Sequence, residues 1–233
     1  MTMIAQNLQL LQARIAQACL AANRPVDSVQ LLAVSKTFGA DAVAQAYAAG
    51  QTAFGENYIQ EGVEKIVALA HLPLQWHCIG PIQSNKTRLV AEHFDWVHTI
   101  DRLKIAQRLS EQRPVTKAPL QVCIQVNVDG GVTKSGVTPD QALELAQAVA
   151  ALPRLHLRGL MCIPEPAPDF VAAKAVFTWA RGLFDSINAE GLALDTLSMG
   201  MSADLEAAIH GGSTLVRVGS AIFGQRDYGT PVA

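Results

Sequence analysis

The chain has 233 residues, of which 50% are hydrophobic and 16% are charged, so it can bury a large core and differs from a disordered segment. Its formal net charge of −2 at pH 7 argues against a surface organised around a phosphate backbone, and we expect no nucleic acid partner. No apolar run reaches the roughly 18 residues of a membrane span, so we expect a cytoplasmic protein without a membrane partner.

The first 22 residues are predicted to form an amphipathic helix. Apolar side chains recur at helical spacing, and polar Gln and Asn residues interrupt the segment throughout. The apolar positions are Ile4, Leu8, Leu11, Ile15 and Cys19. A secretory signal has an uninterrupted apolar centre, so we interpret this segment as part of the fold.

Eight short apolar runs then alternate with helix-length segments. We expect strands at 29–35, 52–55, 74–79, 96–100, 120–128, 155–163, 194–199 and 214–218. Strands that are buried on both faces and joined by helices pair in parallel. This α/β pattern predicts a closed (β/α)₈ TIM barrel, with an open doubly wound sheet as the alternative. We expect one domain over 1–233, with an extra N-terminal helix over 1–22 and the barrel over 29–224.

Local signals mark some of the helix ends. Thr138 is expected to be an N-cap, with Pro139 at the first helical position and Gln141 completing a capping box. Gly191 and Gly211 are expected to be the left-handed residues that end two later helices.

The four cysteines do not form a pattern typical of a zinc site or a disulfide framework. They are widely separated, and no two form a CxxC pair. The residues are Cys19, Cys78, Cys123 and Cys162. We therefore expect no metal, and we expect the thiols to be small buried hydrophobic groups.

Lys36 is the first candidate for a chemical role, because in such barrels the site lies at the C-terminal ends of the strands. It directly follows the apolar strand LLAVS. Desolvation there lowers the pKa of an amine and makes the neutral nucleophile available for imine formation. The alternative is a lysine that ends a strand and extends into water.

The loops after the last two strands often bind phosphate in such barrels. Here Ser202 is expected to be an N-cap, and Gly219-Ser220 places a residue without a side chain beside a hydroxyl. Ordinary helix capping and a tight turn are the alternative explanations. Because closure pairs strand eight with strand one, one ligand could reach Lys36 and both loops. Pyridoxal phosphate, or the sugar phosphate of a Schiff-base aldolase, would suit this arrangement.

A series of motifs over residues 33–224 carries a family resemblance. In order they are AVSKTF, FGENYIQE, WHCIGPIQSNK, QVNVDGGVTKSG, LRGLMCI, LSMGMSADLEAAI and VRVGSAIFG. In this combination the chain resembles the pyridoxal phosphate homeostasis protein family, which is related to the N-terminal barrel domain of alanine racemase. The resemblance implies a fold-type III barrel that binds pyridoxal 5′-phosphate (PLP).

The resemblance also implies roles for individual residues. Lys36 would form a Schiff base with PLP, Asn57 would line the pocket, and Arg217 would face the pyridine nitrogen. Ser202, Gly219 and Ser220 would hold the phosphate. Ser220 stands where many relatives carry threonine, and Pro81-Ile82 stands where His-Leu is more usual. Lys134 as a second amine and His77 facing the cofactor ring are weaker candidates; a solvated loop lysine and a structural histidine are the alternatives.

The same resemblance implies intracellular PLP homeostasis, through carriage or buffering of the cofactor, with no catalytic residue. Arg217 is permanently protonated and cannot give a proton to the ring nitrogen, which disfavours carbanion chemistry. The chain also ends soon after strand eight, so we expect no second domain that could supply a tyrosine base. A PLP-dependent racemase or lyase, with Tyr58 as a substitute base, is the alternative. Expected partners are PLP and apo PLP-dependent enzymes as recipients, with the chain as a monomer or weak dimer.

Overall fold

A computed structural model describes residues 2–131 and 135–224 of the chain. Eight strands form a closed barrel in which each strand pairs with the next and β8 pairs in parallel with β1. Their bounds are β1 Gln30–Val34, β2 Ala53–Glu56, β3 Gln75–Cys78, β4 Trp96–Ile100, β5 Leu120–Gln125, β6 Leu155–Met161, β7 Thr196–Ser198 and β8 Leu215–Val218. The predicted closed barrel is confirmed, and the doubly wound sheet is wrong.

Helices follow the strands around the outside of the barrel. Their bounds are α1 Met3–Ala21, α2 Ala40–Ala48, α3 Ile59–Ala68, α4 Thr87–His93, α5 Leu103–Gln112, α6 Pro139–Ala150, α7 Phe170–Ala189, α8 Leu205–His210 and α9 Ser220–Phe223. All residues of β2 and β4 are buried, as expected for strands with the barrel interior on one face and helices on the other. None of the helices in the described ranges is long and apolar enough to cross a membrane.

The N-terminal helix α1 packs on the outside of the barrel beside the junction of β8 and β1. Its buried apolar stripe includes Leu8, Leu11 and Ile15, and it contacts α2, α8 and α9. Asn7 donates a hydrogen bond to the backbone carbonyl of Ile222 in α9 at 2.9 Å. This helix therefore supports the two short helices that follow β7 and β8.

The predicted start of α6 is correct, but the capping box predicted there is wrong. Thr138 is the N-cap of α6 and Pro139 opens the helix, but the Thr138 side chain makes no capping hydrogen bond. Instead, the N–H of Gln141 donates to the Thr138 backbone carbonyl at 3.0 Å. The sequence pattern located the start of the helix, but the expected capping box does not form.

The glycine signals were also only partly correct. Gly191 follows α7 with a φ of +89°, as predicted, whereas Gly211 has a φ of −82°. The left-handed residue after α8 is Gly212, with a φ of +98°. Gly211 is instead required by packing, because a Cβ there would lie 2.4 Å from the Cβ of Phe177.

The four cysteines are buried, as predicted. Burial raises the pKa of the Cys78 and Cys123 thiols to about 12, so both are protonated at neutral pH. Among residues 2–131 and 135–224, no group of three or more His, Cys, Asp and Glu side chains is arranged to hold a metal ion.

Replacing two glycines by alanine should have opposite effects on stability, because only one of them lies where β6 and β7 approach closely. A Cβ at Gly159 would lie 1.7 Å from the carbonyl oxygen of Thr196, whereas a Cβ at Gly182, exposed within α7, would contact nothing within 4 Å. Gly159→Ala should lower the free energy of unfolding by about 1–3 kcal/mol through overpacking. Gly182→Ala should raise it by about 0.5–1 kcal/mol. Urea unfolding measures both; equal changes in the two variants would contradict this account of the barrel wall.

Candidate functional site

A cavity of about 330 Å³ opens at the C-terminal ends of the strands. All six residues predicted from the sequence line it: Lys36, Asn57, Ser202, Arg217, Gly219 and Ser220. They come together because they follow or end β1, β2, β7 and β8, and the closure of β8 on β1 makes these loops neighbours. Apolar side chains, including Ile79, Ile163 and Met201, complete the lining.

Gly219 allows the β8 loop to approach β1 closely. It is the N-cap of the four-residue helix α9, and no side chain caps that helix. A Cβ at Gly219 would lie 2.9 Å from the carbonyl oxygen of Val34, so a larger residue would push β8 and β1 apart. Ile222 and Phe223 donate to the Gly219 carbonyl, which leaves the N–H groups of Ser220 and Ala221 without an acceptor among the described residues. This end of α9, with the exposed Ser220, therefore presents donors toward the cavity.

Ser202 lines the cavity, but its predicted role as an N-cap is wrong. α8 begins at Leu205, and its N-cap is Asp204. The Asp204 carboxylate accepts a hydrogen bond from the N–H of Met201 at 2.6 Å, which closes a turn before the helix. Ser202 lies within that turn, two residues earlier than the cap.

Arg14 of α1 holds the Ser202 turn in place from outside the barrel. Its guanidinium donates to the Ser202 carbonyl at 3.1 Å and to both carboxylate oxygens of Glu206 at 2.5 and 2.6 Å. This hydrogen-bonded pairing lowers the pKa of the Glu206 carboxyl below its ordinary value. The N-terminal helix thus fixes the position of a cavity wall to which it contributes no lining residue.

Arg217 is a buried cation held by neutral groups. Within the described residues, its guanidinium donates to the Ser198 hydroxyl at 2.8 Å and to the Cys162 carbonyl at 3.0 Å. Burial lowers the pKa of Arg217, but a guanidinium remains protonated in proteins. The wall of the cavity therefore carries a positive charge that its hydrogen-bond partners do not neutralise.

A cluster of three charged residues, Glu56, Glu61 and Lys65, holds the backbone on both sides of Lys36. The sequence analysis did not predict it. Lys65 donates to the carbonyl of Ser35 at 2.7 Å, and Glu61 accepts from the N–H of Thr37 at 2.7 Å. Thr37 has a φ of +70°, a conformation that costs a non-glycine residue free energy and must be maintained by its surroundings. The contacts from α3 thus fix where the chain turns at Lys36.

Glu56 completes this cluster from the end of β2. The Lys65 ammonium lies 2.8 Å from a Glu56 carboxylate oxygen and 2.6 Å from one of Glu61, and the Ser35 hydroxyl donates to Glu56 at 2.6 Å. Burial raises the pKa of the Glu56 carboxyl above its ordinary value, although Lys65 opposes that shift. The only advance signal was the i,i+4 spacing of Glu61 and Lys65, which is also typical of exposed helix faces.

Asn57 offers the cavity a polar atom that the protein leaves unpaired. Its side-chain oxygen Oδ1 is buried and has no hydrogen-bond partner among the described residues. Buried polar atoms are normally paired, so an unpaired acceptor in the lining of a cavity points to a ligand or water as its partner.

Three residues that the sequence singled out as weaker candidates or uncertain positions lie outside the cavity lining. His77 is fully buried in the barrel core, where it hydrogen-bonds His98 and Gln75, so the structural interpretation holds and it does not line the cavity. Ile82 is buried in the hydrophobic core, and Tyr58 is 58% exposed and is absent from the cavity lining. Lys134 lies outside the described residues.

The chain is similar to known proteins over nearly its whole length. The family described as alanine racemase, N-terminal domain, matches residues 4–227. A pyridoxal phosphate homeostasis protein of Pseudomonas aeruginosa is 58% identical over 233 residues and is covered in full, as is this chain. PipY of Synechococcus elongatus, solved with PLP bound, is 37% identical with a TM-score of 0.80, covering 95% of this chain and all of that one. An alanine racemase of Corynebacterium glutamicum, 18% identical, shares the fold with a TM-score of 0.70 over 96% of this chain and 61% of its own.

The cluster behind Lys36 predicts a large loss of stability when its cation is removed. Lys65→Met leaves the buried Glu56 without its ion-pair partner and should lower the free energy of unfolding by about 3–5 kcal/mol. Adding Glu56→Gln should restore part of this loss, since it removes the unpaired charge. The control is Arg88→Ala, which breaks an exposed i,i+4 pair with Glu92 and should cost at most about 1 kcal/mol. Similar losses in Lys65→Met and Arg88→Ala, measured by urea unfolding, would contradict the assigned role of the cluster.

Proposed function

Since this chain belongs to the pyridoxal phosphate homeostasis protein family, we propose that it binds PLP in the cavity and carries or buffers this cofactor. The observation that carries the proposal is the single cavity that collects Lys36, Arg217 and the helix start at Gly219-Ser220. An amine, a cation and a cluster of hydrogen-bond donors match the aldehyde, the ring nitrogen and the phosphate of PLP. We place this activity in the cytoplasm.

The phosphate would be held by Ser202, Gly219 and Ser220. The two hydroxyls line the cavity on loops that follow β7 and β8, and α9 directs its first-turn N–H groups to the same side. Gly219 leaves room for close approach, because no Cβ separates the backbone from the ligand. The cation of Arg217 adds long-range attraction for a phosphate dianion.

The pyridine ring would be held by Arg217, Asn57 and apolar side chains of the cavity. Arg217 can donate a hydrogen bond to the ring nitrogen, which accepts one when it is unprotonated. The unpaired Oδ1 of Asn57 can accept from a polar substituent of the ring, and Ile163 and Met201 offer apolar contact to its faces. The residues present therefore fit the cofactor.

PLP supplies an aldehyde, which condenses with a primary amine to give a Schiff base with loss of water. Lys36 is the amine proposed for this link. The cluster of Glu56, Glu61 and Lys65 keeps the peptide units around Lys36 in place, so the amine is directed into the cavity without a search among backbone conformations.

The composition of the cavity favours a carrier over an enzyme. Among the described residues that line it there is no carboxylate, histidine or tyrosine, so Lys36 is the one side chain there that could act as a base. Arg217 keeps its proton and cannot pass it to the ring nitrogen, which leaves the bound cofactor a poor electron sink. The racemase or lyase alternative would need a second acid-base group beside Lys36, which the described part of this lining lacks.

Under this proposal the recipients are apo PLP-dependent enzymes, and no nucleic acid or membrane partner is required. The chain would act as one domain over 1–233, as a monomer or weak dimer. Carriage would protect the reactive aldehyde from other cellular amines until it is transferred.

Transfer of PLP to an apo-enzyme is the experiment that tests this function. The holo-protein should restore the activity of an apo-aminotransferase, both alone and in the presence of a scavenger that removes free PLP. It should itself turn over common amino acids no faster than free PLP does. Robust racemase, transaminase or decarboxylase turnover that disappears in Lys36→Ala would overturn the carrier role. Transfer that the scavenger abolishes would reduce that role to passive release.

The assigned phosphate contacts predict a difference between two ligands. Ser202→Ala combined with Ser220→Ala should weaken PLP binding by about tenfold to a hundredfold for each charge-assisted hydrogen bond lost. Binding of pyridoxal, which lacks the phosphate, should change little. Ser186→Ala, which alters an exposed serine of α7, is the control. Titration by absorbance measures all three; equal weakening for PLP and pyridoxal would show that the two serines support the fold instead.

A further inference from the structure

A chain of hydrogen bonds runs through the barrel core from the cavity to the opposite mouth of the barrel. Arg217 donates to the Ser198 hydroxyl at 2.8 Å, and Ser198 lies 2.9 Å from Nδ1 of His98. Nε2 of His98 lies 2.9 Å from Nδ1 of His77, and Nε2 of His77 lies 3.0 Å from the side-chain oxygen of Gln75. Ser198, His98 and His77 are fully buried, and Arg217 is 5% exposed.

The two ends of this hydrogen-bond chain lie in different cavities. Arg217 lines the cavity at the C-terminal ends of the strands, and Gln75 lines a cavity of about 590 Å³ at their N-terminal ends. One residue comes from each of β7, β4 and β8, and two come from β3. The chain thus crosses the interior of the barrel.

The chemistry of Arg217 fixes the direction of every bond in the chain. A guanidinium only donates, so the Ser198 oxygen accepts from it. Nδ1 of His98 is the one other partner of this buried hydroxyl among the described residues, so the hydroxyl hydrogen is donated to it. A neutral His98 then carries its proton on Nε2 and donates to Nδ1 of His77. By the same rule His77 carries its proton on Nε2 and donates onward, and the next atom is the Gln75 carbonyl oxygen, an acceptor.

Both histidines are neutral at physiological pH, as this direction requires. Burial lowers the pKa of His77 to about 3 and that of His98 well below its ordinary value, and the charge on Arg217 pushes the pKa of His98 in the same direction. Stacking of His77 on the Trp96 ring, with centroids 5.1 Å apart, further fixes its ring plane.

The neutral hydrogen-bond partners of Arg217 do not cancel its positive charge at the cavity wall. A carboxylate beside Arg217 would cancel much of its charge and compete for its N–H groups, whereas a hydroxyl and a carbonyl orient it and leave the charge in place. Each hydrogen bond in a chain polarises the next, so the aligned chain stabilises the cation more than one hydroxyl would.

We propose that Ser198, His98, His77 and Gln75 are positioning residues for Arg217, whose guanidinium they hold at the cavity wall as a cation with neutral hydrogen-bond partners. All of their hydrogen bonds are donated in the direction away from Arg217. The hydrogen-bond chain itself follows from the contacts alone. Its effect on a ligand rests on the proposed function, in which PLP is that ligand.

The protonation pattern can be tested in the ligand-free protein. Long-range ¹H–¹⁵N correlation spectra at pH 7 distinguish the two neutral tautomers of histidine from the charged form. The protein has six histidines, and only His77 and His98 are fully buried. These two should both appear as neutral Nε2–H tautomers. A proton on Nδ1 of either residue, or a charged ring, would overturn the assigned direction.

The positioning role can be tested with matched serine variants. Ser198→Ala removes the link between Arg217 and His98, whereas Ser213→Ala removes an equally buried hydroxyl that donates only to backbone carbonyls. Ser198→Ala should weaken pyridoxal binding by about tenfold, as expected for the loss of a hydrogen bond to a charged group, and shift the absorption maximum of the bound ligand. Ser198→Thr, which keeps the hydroxyl, should restore both. Ser213→Ala should behave as wild type.

The possible outcomes separate this inference from the proposed function. Unchanged binding and absorption in Ser198→Ala, or the same change in Ser213→Ala, would overturn the positioning role. A wild-type protein that binds neither PLP nor pyridoxal would contradict the proposed function and with it the effect on the ligand, while the histidine spectra would still decide the hydrogen-bond chain.

Discussion

The parallel pairing of β8 with β1 is the contact on which the cavity depends. Four registered residues of each strand pair, from Gln30 with Leu215 to Ala33 with Val218. This pairing brings Lys36, near the start of the chain, beside Gly219-Ser220, near its end, and Gly219 permits the close approach. The N-terminal helix reinforces the same junction, since Asn7 binds the carbonyl of Ile222 and Arg14 binds the Ser202 turn. Barrel closure, and not any single loop, thus creates the site.

Two buried cations near the cavity are stabilised in opposite ways. Lys65 is surrounded by two carboxylates and a carbonyl, so its charge is compensated and it acts on the backbone around Lys36. Arg217 is held by a hydroxyl and a carbonyl, so its charge remains available to the cavity. Burial of a charge is costly unless hydrogen bonds satisfy it, and both side chains meet that condition. The difference matches their positions: Lys65 fixes a backbone segment, and Arg217 lines the cavity.

Much of the fold could be predicted from the sequence, because strands buried on both faces give continuous apolar runs and closure follows from eight repeated units. The strand ends were less certain: β7 begins at Thr196 although the apolar run starts at 194, and β5 ends at Gln125 although its run extends to 128. Local helix signals failed where neighbouring residues compete for one role, as with Asp204 in place of Ser202 and Gly212 in place of Gly211. The histidine chain was missed because His98 and Ser198 are 100 residues apart and only the closed barrel joins them.

Reductive trapping of the bound cofactor tests the central claim most directly. The purified protein is incubated with PLP, reduced with borohydride and digested, and the modified lysine is identified by peptide mapping. The closed barrel places Lys36 beside the proposed phosphate loops, so the account predicts a stable pyridoxyl group on Lys36 and loss of the visible absorption band on reduction. A pyridoxyl group on another lysine, with Lys36 unmodified, would contradict it.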